Sequence, residues 1–203
     1  MRRIYSFVLT LTMVSAPVLL AQGRAQDKPS AREVTTTAPN SGYRAEFLDE
    51  VAYYEQRYVR LAEKMPADKY TWRPGEGVRS VGEVFTHIIQ ANYGVARSLG
   101  KEPPAGVDFK SFGAMATDKA KTVQALQDSF AHFRQAILAL GDGDADKPQK
   151  MFGRQTTLRG SFLLVTGHFG EHLGQSIAYA RVNGIVPPWT EEQQQQQKQP
   201  AKP

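Results

Sequence analysis

Residues 157–183 read TLRGSFLLVTGHFGEHLGQSIAYARVN, and this stretch decides the fold. It reads as one long helix that begins near Thr157, runs to about Asn183 and stops at Gly184. Gly160, Gly167, Gly170 and Gly174 fall in one arc of its wheel, each costing about 1 kcal/mol relative to alanine in a helix interior. Close packing of another helix or a ligand against that arc is the expectation. His168 and His172 stand at i and i+4, so both rings lie on one face.

Three similar segments lie upstream. Phe47, Val51, Tyr54, Tyr58, Leu61 and Met65 step by four and three, a narrow apolar stripe on a helix from about Tyr43 to a stop at Pro66. Ser80-Val81-Gly82-Glu83 is a capping box, which predicts a second helix from there to about Leu99, ended by Gly100, Pro103 and Pro104. Thr117 is the expected cap of a third helix, roughly Asp118 to Leu140, with the stripe Val123, Leu126, Phe130, Phe133, Ile137 and Leu140. Four amphipathic segments of roughly 20 residues, about 30 Å each, fit an all-α four-helix bundle over residues 43–188. No strand-like alternation competes with that reading. Beyond it, residues 189–203 form a low-complexity glutamine-rich tail to which no structure is assigned.

The N-terminus reads as an export signal. Arg2 and Arg3 precede a mostly apolar stretch from Ile4 to Leu20, and small residues follow at Ala21 and Ala25. The stretch is short for a membrane span and is broken by Pro17, so residues 1–25 are expected to be cleaved after Ala21 or Ala25, leaving a periplasmic or secreted protein with a polar leader at 26–42. Three of the five net positive charges (Arg2, Arg3, Arg24) sit in that signal with no acid, leaving +2 for the rest. A balance so near neutral gives no electrostatic case for a nucleic-acid partner, and none for a membrane partner after cleavage. Apolar residues make up 41%, enough for a core, and the absence of cysteine excludes disulfides, thiolate metal sites and a cysteine nucleophile.

The histidines carry the chemistry. His168 and His172 can converge on one ion, and His87 sits at the polar edge of the second helix's apolar arc, where a third ligand near a bundle mouth belongs. Three histidines leave a coordination position open to water or substrate. Such ligands suit a divalent metal, zinc or nickel first, with iron also open. His132 lies almost opposite its helix's apolar stripe and is expected to be solvated and uninvolved. His168-Phe169-Gly170-Glu171-His172 also matches H-x-x-E-H, but a peptidase needs an acidic ligand on a later helix, and only Glu191 and Glu192 follow. The run Asp142 to Asp146 lacks the turn glycine and closing glutamate of a calcium loop. Glu171, Gln175 and Tyr179 are the candidate catalytic residues. Gln175 and Tyr179 continue the histidine stripe and could hold water or substrate or simply bond to each other, while Glu171 either orients a ligand or faces solvent. Trp72 is expected to cover the bundle end, the alternative being a wall of the substrate site.

The chain from about Phe47 to Pro188 resembles the DinB/YfiT-like family of four-helix-bundle metal proteins. The resemblance lies in Trp72-Arg73-Pro74, in Arg79-Ser80-Val81-Gly82-Glu83 through His87, and in His168-Phe169-Gly170-Glu171-His172-Leu173-Gly174-Gln175 through Tyr179, Arg181, Asn183-Gly184 and Pro187-Pro188. It implies a metal on His87, His168 and His172. Leu173 departs from the arginine that many members carry. The family includes thiol-dependent transferases and isomerases, so the resemblance implies fold and metal site more than reaction. The expected function is that of an exported metal-dependent hydrolase or thiol-type transferase acting on a small molecule, the alternative being a non-catalytic metal- or ligand-binding module. A homodimer is left open.

Overall fold

The computed structural model describes residues 38–198; the expected signal segment and cleavage points, most of the expected leader and the last five residues lie outside the described residues. In order, the elements are α1 (Gly42–Lys64), α2 (Val81–Ser98), α3 (Phe112–Met115), α4 (Lys119–Leu138), β1 (Pro148–Met151), β2 (Arg154–Thr157), α5 (Leu158–Val182) and α6 (Pro188–Lys198). The four long helices α1, α2, α4 and α5 make the bundle: α2 packs on α4 and α5, and α1 packs on the same two. The architecture is all-α, and no helix among the described residues is long and apolar enough to cross a membrane.

Local chemistry sets the helix ends. Met65, which precedes Pro66, is extended at φ −63° and ψ 127°, because the proline ring disfavours helical torsions in the residue before it. The capping box of α2 is formed: the Ser80 backbone N–H donates to Glu83 Oε2 at 2.6 Å and the Glu83 N–H to Ser80 Oγ at 3.2 Å. Gly82 in the first turn has no room for a side chain, since a Cβ there would overlap the backbone carbonyl of Ala116 unless the backbone shifts. That close approach and the bonds from Gly82 N–H to Tyr70 O (2.9 Å) and Val81 N–H to Trp72 O (3.0 Å) clamp two loops onto the start of α2. Thr157 caps α5 through the Gly160 N–H at 3.2 Å.

The core is aromatic at its centre. Tyr58 from α1, Phe130 and Phe133 from α4 and Phe169 from α5 are fully buried, and the Tyr58 hydroxyl donates to Phe169 O at 2.7 Å. Burying one such ring stabilises the fold by about 1.5–3 kcal/mol. Phe169 thereby fixes the rotation of α5 about its axis, and with it the direction of the neighbouring His168.

Five expectations need correction. A hairpin exists where no strand was expected: β1 and β2 pair antiparallel with Pro148 opposite Thr157 and Met151 opposite Arg154. Its strands are four residues long and polar, held by buried Met151 and by bonds from the first turn of α5, Leu158 N–H to Lys147 O (2.9 Å) and Arg159 N–H to Ala145 O (3.0 Å). The tail is helical through Lys198 because it has partners on α1: Trp189 lies under the Arg57 guanidinium at 4.7 Å, Glu191 pairs with Lys64 at 3.0 Å and Glu192 with Arg60. The cap of α4 is Asp118, accepting the Lys121 N–H at 3.1 Å, rather than Thr117. His132 is buried rather than solvated, since the tilted ring of Tyr93 covers it at 5.3 Å and the Lys101 carbonyl meets Nε2 at 3.4 Å. Lastly, the glycine arc is not uniformly packed. Gly170 faces the Tyr54 hydroxyl, but Gly167 and Gly174 are exposed with open space where a Cβ would stand.

Candidate metal centre

Two helices build the centre. His87 stands one turn beyond the capping box of α2, and His168 and His172 stand one turn apart on α5. Each offers a ring nitrogen, and these three atoms lie within 4.8 Å of one another. His87 Nε2 is 3.0 Å from His168 Nε2, and the ring centroids are 4.6 to 5.0 Å apart. A tetrahedral ion with metal–nitrogen bonds of about 2.1 Å holds its ligand nitrogens about 3.4 Å apart, so the observed spacing fits one shared ion with little movement.

Two of the three rings are held in the state that can ligate a metal. Burial, then the Arg79 charge and the other two histidines, push His87 down to about 4. Burial, His172 and Arg79 push His168 down to about 4 as well. Both are therefore neutral near pH 7, with a lone pair to donate. His172 is oriented by its neighbour, its Nδ1–H donating to Gln175 Oε1 at 2.9 Å. Gln175 is held in turn by donating its amide to the Tyr179 hydroxyl at 2.8 Å. Tyr179 is buried and meets Trp72 edge-on at 5.4 Å, so Trp72 does cover the end of the bundle. The Nδ1 of His168 is buried without a hydrogen-bond partner among the described residues.

The candidate catalytic residues separate here. Gln175 and Tyr179 are a hydrogen-bonded interior pair that orients His172. Glu171 is exposed and makes no hydrogen bond or ion pair among the described residues. Glu83 is occupied by its cap and by Arg73 at 3.1 Å. No carboxylate among the described residues joins the three histidines. His87 opens on a surface depression of about 360 Å³ that it shares with Arg79, Thr86 and Gln90. Two residues at the edge escaped the sequence reading: Arg79, which lines that depression, and Phe152 at the hairpin tip, 5.1 Å from the His168 ring. The dipeptide Phe152-Gly153 was the available signal, since glycine after a short polar run marks a turn.

Comparison with known proteins agrees with this architecture. The family model of the DinB superfamily matches residues 53–176, which is more than half of the chain and includes all three histidines. A DinB-like protein from Bacillus cereus ATCC 10987 shares the fold, with a TM-score of 0.58 at 18% identity over 70% of this chain and 93% of its own. A DinB-like protein from Bacillus subtilis matches with a TM-score of 0.46 at 21% identity, over 70% of this chain and 94% of its own. No curated protein matches the chain.

Proposed function

The chain belongs to the DinB superfamily, and from that premise we propose that it is an exported metal-dependent enzyme, a hydrolase or thiol-type transferase, with a divalent ion on His87, His168 and His172. The observation that carries this reading is the convergence of three imidazoles with no carboxylate beside them among the described residues, a donor set that suits zinc or nickel and leaves a position for a ligand. When bound, such an ion supplies Lewis-acid activation of the group it holds. The chain's own residues orient and select: Tyr179 fixes Gln175, Gln175 orients His172, and the buried ring of Phe169 fixes the direction of His168. The substrate is a small molecule that enters by the depression at His87.

One observation favours the second reading, a non-catalytic metal- or ligand-binding module. The polar side chains next to the histidines are engaged elsewhere, and Glu171 faces solvent, so a proton-transfer group must come from the substrate or from Glu171 after a change of rotamer. Metal analysis of protein purified without an affinity tag, followed by an activity screen with the native metal, separates the two. Stoichiometric zinc or nickel with turnover supports the enzyme; a bound ion with no turnover supports the module. Export is part of the proposal, and N-terminal sequencing of the native protein checks it: a start at Gln22 or Gln26 is expected, and an intact Met1 in membrane fractions overturns it.

A further inference from the structure

Met151 and Arg154 pair across the hairpin, so Phe152 and Gly153 alone make its turn. Both have φ in the left-handed region, at 48° and 78°. A two-residue turn of this kind favours asparagine, aspartate or glycine at its first position, because a bulky side chain is crowded by its own backbone there. Phe152 is the one non-glycine residue with positive φ among the described residues, and it is 49% exposed, so core burial does not offset the strain. What its ring does touch is His168. The other edge residue is Arg79. Its neighbour Arg73 is held by Glu83 at 3.1 Å and by the Val78 carbonyl at 3.1 Å, whereas the exposed Arg79 guanidinium makes no hydrogen bond or ion pair among the described residues. Arg79 shares the depression with His87, and its charge acts on both His87 and His168.

We propose that the ligand of this centre is a small organic carboxylate with an apolar body, its charge met by Arg79 and its apolar part by the exposed ring of Phe152. The inference rests on the metal reading proposed above and names the substrate class for it. An unpartnered guanidinium presents the planar donor fork that suits a carboxylate. A strained, half-exposed aromatic ring against one ligand histidine presents an apolar wall where a ligand body would lie.

The test is visible absorption of the cobalt(II)-loaded full-length protein, titrated with acetate, benzoate and neutral imidazole. Benzoate should bind roughly two- to tenfold more tightly than acetate, the scale of one ring contact. Arg79→Gln should weaken both anions about fivefold, the scale of a partly exposed charge pair, and leave imidazole unchanged. Phe152→Asn should remove the advantage of benzoate over acetate while raising the melting temperature, because asparagine suits the turn; Phe152→Gly should act alike on the ligands. Unchanged benzoate and acetate affinities in these variants, or an imidazole loss as large as the anion loss in Arg79→Gln, would overturn the inference. A cobalt spectrum that is absent, or that His168→Ala does not abolish, would instead sink the metal reading and this inference with it.

Discussion

Gly82 and His87 are separated by little more than a turn of α2 and are constrained in opposite ways, one by space and one by charge. A methyl group at Gly82 must displace backbone rather than the end of a flexible side chain. Gly82→Ala should therefore destabilise the protein by about 3 kcal/mol, as overpacking does when the neighbour cannot yield, and denaturant melts will measure it. His87 and His168 are held neutral, down at about 4 against an ordinary 6.5. Below 6.5 the unfolded chain takes up protons that the folded site refuses, so the unfolded state gains as pH falls. Stability of the chelated protein should be fully present above about pH 6.5 and decline as pH drops toward 4. Replacing both histidines by glutamine should flatten that part of the curve; an equal slope in the double variant would rule the site out as its cause.

At the scale of the element, α6 offers the sharpest test, because its existence depends on α1. Trp189, Glu191 and Glu192 contact Arg57, Lys64 and Arg60, all near the surface. Truncation after Pro188 should cost about 1–2 kcal/mol, the sum of one cation–π contact and two exposed ion pairs, without altering metal affinity. Calorimetry of the truncated protein decides both points. The same dependence explains what could be read in advance. The helices whose apolar residues repeat at helical spacing, such as Phe47 through Met65, were legible because period alone identifies the buried face. So were the Ser80–Glu83 cap and the convergence of His87, His168 and His172, where residue type and spacing carry the information. The four-residue polar strands, the glutamine-rich α6 and the burial of His132 were not, because each is stabilised by partners distant in sequence: α5, α1 and the Lys101 loop. Phe152 belongs with these. Its value lies in which histidine the hairpin tip reaches, and no local pattern encodes that.

For the whole molecule, the centre joins α2 to α5 in a fold that has no disulfide. An ion that binds only the folded state stabilises it by about 2.7 kcal/mol at a hundred times its dissociation constant. Chelation should then lower the melting temperature by about 5–10 °C for a chain of this size, and His168→Ala should abolish the response while His132→Ala leaves it intact. Scanning calorimetry with and without chelator is the measurement; a melting curve unmoved by verified metal removal would exclude any contribution of the ion to stability.

The close approach of His87 to His168 spans 81 positions of sequence. Helices nucleate from neighbours within microseconds, but a contact at that separation must wait for loop closure and for the docking of two finished helices. An ion held by all three histidines would therefore gain its His87 ligand only after α2 and α5 have docked. In a stopped-flow refolding experiment on the Trp189→Phe protein with cobalt present, the colour of the centre should develop no sooner than the change in Trp72 emission that accompanies its seating on Tyr179.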